Sequence, residues 1–145
     1  MKLIDEVNHF YYKMSLYELK IMNEGDFYNG LSYNSMLYLN VIFQTKECTV
    51  SKLAESLNIT KSAVTLKINE LLKDNVVVKE QSQQDKRVFF IKLSPNIEKT
   101  FSIYSKIFEK IEKQFIKKYS EEELKTFKKI LNDFLNYDWS DYNEK

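Results

Sequence analysis

The spacing of the apolar residues changes from a helical to a strand-like pattern within one segment, and this change most constrains the fold. In residues 49–75, TVSKLAESLNITKSAVTLKINELLKDN, helical spacing interrupted at Asn58-Ile59 predicts two short helices joined by a tight turn. The runs VVVKEQ (76–81) and RVFFIKL (87–93) are rich in β-branched and aromatic residues, and they predict an antiparallel hairpin. This order of elements predicts a winged helix-turn-helix.

Polar residues at the predicted helix ends agree with these boundaries. Thr49 or Ser51 is expected to cap the first helix and Thr60 the second, while Asn75 is expected to end the second helix in the left-handed conformation. The positions expected to pack the two helices together are Leu53, Ala54, Leu57, Ile59, Val64, Ile68 and Leu71.

Amphipathic helices are predicted on both sides of this segment. Residues 2–23 form one, the glycine-containing loop NEGDFYNG follows, and a second helix capped by Ser32 has Met36, Leu39 and Phe43 along one side. Ser94-Pro95 begins a long helix with an apolar heptad pattern over 97–115. Ser120 and Glu123 form a capping-box pattern that begins the last helix, and a polar, frayed tail DWSDYNEK is expected after it.

The fold class expected from these elements is mainly α with a small β-hairpin wing. With only two glycines and one proline in 145 residues, long helices and short turns are favoured, and the length fits a single domain, 1–145. We expect residues 32–95 to form the winged helix-turn-helix part and residues 1–24 and 96–137 to form dimerisation helices.

Composition excludes several classes of function. The single cysteine, Cys48, cannot form an internal disulfide, and it is expected to be a half-buried residue in a short strand rather than a redox sensor. The single histidine, His9, has no second histidine or nearby cysteine with which to bind a metal, so no metal or cofactor is expected. Because no apolar run reaches the length of a membrane span and no signal peptide is apparent, we expect a cytoplasmic protein. No catalytic constellation is assembled, so we expect no enzyme.

The polar face of the second short helix suits a DNA groove. Lys61, Ser62, Thr65, Asn69 and Lys73 share one side, where short polar side chains and lysines can reach base edges and phosphates. Residues 46–95 carry nine basic and six acidic side chains, although this excess alone also fits a solvated surface. The hairpin tip adds a further set of polar residues that can reach the adjacent minor groove or backbone: Gln81, Ser82, Gln83, Gln84, Asp85, Lys86 and Arg87.

The segment resembles the MarR family of bacterial transcriptional regulators. LAESLNITKSAVT is similar to the family's helix-turn-helix motif, and DKRVFFIKLSP is similar to its D-x-R wing motif and the strand that follows. The resemblance implies a homodimer on a roughly palindromic operator, often released by a small effector, whose identity stays unknown. The resemblance implies that Lys61, Ser62 and Thr65 contact DNA and that Asp85 and Arg87 form the wing motif.

Three positions depart from the family pattern. Leu66 stands where the family usually has arginine, and neighbouring Lys67 is expected to supply the charge instead. Asn75 replaces the usual glycine, and Lys79 replaces the common arginine that begins the wing.

The expected DNA-binding set is Ser51, Lys61, Ser62, Thr65, Lys67, Asn69, Lys73, Lys86 and Arg87. The expected dimer interface is Ile4, Val7, Tyr11, Phe108, Ile111, Phe115, Phe127, Leu131 and Phe134.

Arg87 is the only arginine in a chain whose other basic residues are lysines. Its planar fork can pair with Asp85 to stiffen the wing, or it can enter a narrow minor groove, where arginine is favoured over lysine. A simple surface ion pair is the third interpretation. The sequence thus predicts a dimeric DNA-binding regulator, with a winged-helix module for protein interaction, lacking specific DNA binding, as the alternative.

Overall fold

A computed structural model describes residues 2–24 and 31–138. The chain divides into two compact units, residues 1–100 and 101–145. Most of the predicted glycine-containing loop and nearly all of the predicted frayed tail lie outside the described residues. The elements, in chain order, are α1 (Leu3–Glu24), α2 (Tyr33–Gln44), α3 (Val50–Leu57), α4 (Lys61–Lys73), β1 (Val77–Gln81), β2 (Phe89–Leu93), α5 (Pro95–Lys118) and α6 (Glu121–Leu135).

Short polar side chains fix the starts of the helices. The Oγ atom of Ser32 accepts a hydrogen bond from the Ser35 backbone at the start of α2. Thr49 accepts from the Lys52 N–H at α3, and Thr60 accepts from the Ala63 N–H at α4. Each bond satisfies a backbone donor that has no partner within its own helix. The caps predicted at Ser32 and Thr60 are confirmed, and Thr49 rather than Ser51 caps α3.

Two asparagines end the helices of the helix-turn-helix. Asn58, the C-cap of α3, has φ 52° and ψ 47°, and Asn75, just beyond α4, has φ 56°. Asparagine enters this left-handed region more readily than most residues with a Cβ atom. The left-handed helix end predicted at Asn75 is therefore confirmed. A second left-handed residue, Asn58, begins the turn that connects α3 to α4.

The core lies among α2, α3, α4 and the hairpin. Buried side chains from all four include Leu39, Leu53, Val64, Ile68, Leu71, Val77 and Ile91. On α2 the buried stripe is Ser35, Tyr38, Leu39 and Ile42, so the predicted stripe through Met36 and Phe43 was only partly right. Of the predicted packing positions, Ile59 was wrong: it is 40% exposed, because the turn at Asn58 carries it beyond the end of α3.

The hairpin pairs β1 with β2 in antiparallel register, with Val77 opposite Leu93 and Gln81 opposite Phe89. Its base is closed by the Ser94 N–H, which donates to the Val76 carbonyl at 2.9 Å. A further bond, from the Ile91 N–H to the Cys48 carbonyl at 2.7 Å, attaches the hairpin to the loop before α3. This fixes the position of the wing relative to the helix-turn-helix.

The N-terminal and C-terminal helices bury little of their apolar surface. None of the α1 side chains that the structure describes is buried, and no residue of α6 is buried. In α6, the Ser120 Oγ accepts from the Glu123 N–H while the Glu123 carboxylate accepts from the Ser120 N–H, which confirms the predicted capping box. The first helix is shifted by one residue from the predicted 2–23, and the last two helices begin at Pro95 and Glu121, next to the predicted caps. The apolar sides of α1 and α6 stay largely uncovered within one chain.

Candidate DNA-binding surface

One side of α4 presents a continuous exposed surface, which we call the recognition strip. It consists of Lys61, Ser62, Thr65, Leu66, Asn69 and Lys73, all exposed. At 3.6 residues per turn these positions fall on one side of the helix, opposite the buried Val64, Ile68 and Leu71. The core thus orients the strip, because burying those three side chains turns the other side outwards.

Thr65 is held in place within the strip. Its Oγ1 atom donates to the Lys61 carbonyl at 2.8 Å, so the hydroxyl keeps only its lone pairs, as a hydrogen-bond acceptor, for a ligand. No such bond to Ser62 or Asn69 is present among the described residues. Their side chains are therefore available to a ligand without breaking an existing contact.

Lys67 differs from the other predicted DNA contacts. Its side chain is only 16% exposed, and its Nζ atom lies 2.6 Å from the Glu70 carboxylate. The Lys67 charge also lowers the pKa of the Tyr38 hydroxyl, which burial, the larger effect, raises overall. The ammonium group predicted to replace the family's arginine is thus turned back towards the protein, and Leu66 beside it is the exposed residue.

The hairpin tip is internally bonded. The Ser82 side chain is buried, and its Oγ atom accepts from the backbone N–H groups of Gln84 and Asp85. The Gln81 Nε2 atom donates to the Lys86 carbonyl at 2.7 Å, and the Ser82 N–H donates to the Val88 carbonyl. The sequence placed Ser82 and Gln81 among the groups free to touch DNA, whereas here they organise the tip. The signal in the sequence that could have indicated this role was a serine between two predicted strands, because serine side chains often bond to backbone groups within a turn.

Asp85 and Arg87 form the most specific contact of the tip. The Arg87 Nε atom donates to Asp85 Oδ1 and a terminal guanidinium nitrogen donates to Oδ2, both at 3.1 Å, while the Arg87 backbone N–H donates to Oδ1 at 2.9 Å. These bonds lower the pKa of the Asp85 carboxyl, the guanidinium contributing most. The Arg87 side chain is nevertheless 90% exposed, so the fork forms without burying the guanidinium.

The two other predicted DNA contacts lie at exposed positions. Ser51 is in the first turn of α3, where Thr49 already caps the helix, so its hydroxyl is not needed for that purpose. Lys86 is exposed at the tip beside Arg87. The structure thus puts all predicted DNA-binding residues except Lys67 on exposed surface of the helix-turn-helix or the wing.

The residues predicted for the dimer interface are apolar and uncovered. Val7 is partly exposed and the others are exposed: Ile4, Tyr11, Phe108, Ile111, Phe115, Phe127, Leu131 and Phe134. The heptad pattern of α5 divides along its length, since Ile97 and Phe101 are buried whereas Phe108 and later members are exposed. The Tyr104 side chain is outside the described part. The apolar residues in the first turns of α5 are therefore buried, and those in the later turns present an apolar surface.

Cys48 is 2% exposed and lies in the irregular loop before α3, so the expectation of a half-buried residue in a strand was wrong on both counts. Its backbone carbonyl accepts the hydrogen bond from the Ile91 N–H of β2. Burial raises the pKa of its thiol, with Lys52 opposing this weakly. An open cleft of about 480 Å3 beside it is lined by Phe43, Lys46, Phe90, Lys92 and Glu98, among others.

The described residues contain neither a cluster of metal-ligating side chains nor a helix suited to cross a bilayer. No group of three or more histidine, cysteine or acidic side chains there is arranged to hold a metal ion. No described helix combines the length and apolar character needed to cross a bilayer.

Comparison with known proteins agrees with the sequence motifs. Residues 31–89 match the model of the MarR family, a stretch that begins just before α2 and ends at the start of β2. No curated protein matches the chain. The resemblance predicted from the helix-turn-helix and wing motifs is thus confirmed for this segment.

Solved structures extend the similarity in fold over most of the chain. FabT of Streptococcus pneumoniae in complex with DNA is 22% identical with a TM-score of 0.66, covering 91% of this chain and 92% of that one. MepR of S. aureus bound to ethidium bromide is 19% identical with a TM-score of 0.64, covering 93% and 95%. A MarR-like regulator from Thermotoga maritima is 21% identical with a TM-score of 0.64, covering 93% and 95%. The predicted winged helix-turn-helix fold is confirmed.

Proposed function

Since residues 31–89 form a MarR-family domain, we propose that this chain is a sequence-specific, DNA-binding transcriptional regulator that acts as a homodimer. The observation that carries the proposal is the recognition strip of α4 beside a rigid, positively charged wing tip. Similar folds occur in FabT and MepR, both of which have been solved in complex with DNA. The chain supplies DNA contacts and no catalytic step, and its place is the bacterial cytoplasm.

The recognition strip enters the major groove in this proposal. Ser62, Thr65 and Asn69 offer hydrogen-bonding groups to base edges, while Lys61 and Lys73 at the two ends reach phosphates. Ser51 at the start of α3 contacts the backbone. Lys67 contributes only if it leaves Glu70, so we assign it the smallest share of binding.

The wing contacts the neighbouring minor groove or backbone. Lys86 neutralises a phosphate, and Arg87 reaches outwards while Asp85 holds its plane. A fixed guanidinium loses less side-chain entropy on binding than a free one, and arginine is favoured in narrow minor grooves. Residues 32–95 thus form the DNA-binding part of a single domain, 1–145.

Dimerisation is proposed to cover the apolar sides of residues 1–24 and 96–137. The support is the exposure of large apolar side chains such as Phe108, Phe115 and Leu131, which would remain in water in a monomer. A dimer also doubles the phosphate contacts and joins two half-sites on one palindromic operator.

Light scattering on the eluting protein tests the dimer directly. At micromolar concentration we expect twice the mass of the chain for the native protein and for Lys129→Asp, a control at an exposed position on the far side of α6 from Leu131. Leu131→Asp buries a charge in the proposed interface and is expected to give monomer. A native protein that elutes as a monomer contradicts the proposal.

A small effector is proposed to modulate DNA binding. The support is the structure of MepR, a protein of similar fold, with ethidium bromide bound. A compound that binds the free dimer more tightly than the DNA complex must weaken DNA binding by the same factor. Screening for compounds that lower DNA affinity without unfolding the protein tests this part, and a screen in which none does so contradicts it.

The alternative function is a winged-helix module that binds protein and lacks specific DNA binding. Titration of duplex DNA at several salt concentrations separates the two. A regulator that makes six or more phosphate contacts shows a steep log–log slope, because each neutralised phosphate contributes about −0.9. Sites selected from random duplex are expected to outcompete unselected duplex. A flat slope with no sequence preference rejects the regulator function.

A further inference from the structure

An exposed leucine lies within the polar recognition strip. Leu66 is 73% exposed in the second turn of α4, surrounded along the helix surface by Ser62, Asn69 and Lys73 at spacings of four, three and seven residues. Single exposed leucines are common on protein surfaces. This one differs because it lies among the polar residues of the recognition strip, on the side of α4 that the core leaves exposed.

The side chains on either side of Leu66 do not place a free polar group at this position. Lys67 is turned away towards Glu70, and Thr65 has its hydroxyl bonded to the Lys61 carbonyl. A base pair that faces this part of the strip therefore meets an aliphatic side chain. The apolar group that a base pair presents in the major groove is the 5-methyl group of thymine.

We propose that Leu66 is a specificity-determining residue that contacts the 5-methyl group of a thymine in each half-site. The proposal rests on the DNA-binding function argued above. Asn69, one turn further along the same side, has the amide that pairs with the N6 and N7 groups of adenine. Because the two side chains are neighbours on α4, together they favour adjacent A·T pairs in the half-site.

Removal of the methyl group tests the contact. A duplex selected from a random library is synthesised with thymine and, in a second version, with uracil at every thymine position. Burying one methyl group is worth about fourfold in affinity, so two half-sites predict about 15-fold tighter binding of the thymine duplex. Replacing thymines one at a time is expected to locate the effect at one position in each half-site.

Leu66→Ala provides the matched control. It is expected to bind the thymine and uracil duplexes equally, with an unchanged unfolding midpoint because the side chain is exposed. If the native protein binds both duplexes equally while still preferring the selected sequence, the leucine proposal is overturned and the regulator function stands. If Leu66→Ala keeps the full thymine preference, another side chain or the DNA shape reads the methyl group, which also overturns the proposal. Absence of any sequence preference overturns both proposals.

Discussion

The guanidinium of Arg87 and the carboxylate of Asp85 form a two-bond fork at the hairpin tip, with both N–H···O distances at 3.1 Å. The sequence left three interpretations of the sole arginine open, and the geometry shows the paired fork while minor-groove entry stays a prediction. The fork holds the guanidinium plane in place, and the same side chain remains almost fully exposed. Lysine would retain the charge but has no plane that could be held in this way.

Arg87→Lys is therefore expected to weaken DNA binding without destabilising the fold. We expect a loss of about 1 kcal/mol in binding per protomer and a change of less than about 0.5 kcal/mol in the free energy of unfolding. Binding titrations and urea unfolding measure the two quantities. Unchanged affinity would show that arginine has no special role and that the fork is an ordinary surface pair.

The Asp85 carboxyl is expected to titrate below the ordinary aspartate pKa of about 4. Because the folded-state pKa is lowered, the stability that Asp85 contributes is present above that ordinary value and is lost as pH falls through the folded-state pKa. The Arg87 amide resonance reports the titration, since this N–H donates to Asp85 Oδ1. In Asp85→Asn the corresponding step should vanish, and a midpoint at the ordinary value would argue against the fork in solution.

Lys73→Ala is expected to reduce the salt dependence of DNA binding. Removing one phosphate contact from each protomer lowers the log–log slope by about 1, hence by about 2 for a dimer. Lys129→Ala, on α6, removes the same charge from a residue outside the recognition strip and should leave the slope unchanged. Equal slopes for Lys73→Ala and the native protein would remove Lys73 from the interface.

Cys48 is expected to react slowly with thiol reagents in the native protein. Burial hides the sulphur and raises its pKa, so little thiolate is present near neutral pH. Labelling with an aromatic disulfide at pH 8 should be orders of magnitude slower in buffer than in urea. Fast labelling of the native protein, or loss of DNA binding on mild oxidation, would instead favour a redox-sensing role.

The sequence predicted the helix-turn-helix well because its determinants are local. Thr60 bonds to a backbone group three residues away and Asn75 acts through its own backbone conformation, so both roles can be predicted from the residues close to them in sequence. The position of the hairpin depends on a bond between Ile91 and Cys48, 43 residues apart, which no local pattern reveals. The same limit explains Lys67: its spacing permits both a DNA-facing position and the pair with Glu70, and only the packed structure decides between them.

The asparagines at φ 52° and 56° also affect the unfolded chain. Glycine would fit either position with less local strain, yet it would give the denatured ensemble more conformations to lose on folding. Asn58 and Asn75 leave a small strain in the native turn, but they give the denatured chain fewer conformations than glycine would. Replacing either by glycine should thus relieve strain in the native turn and raise the conformational entropy of the unfolded chain, two effects of opposite sign on the free energy of unfolding.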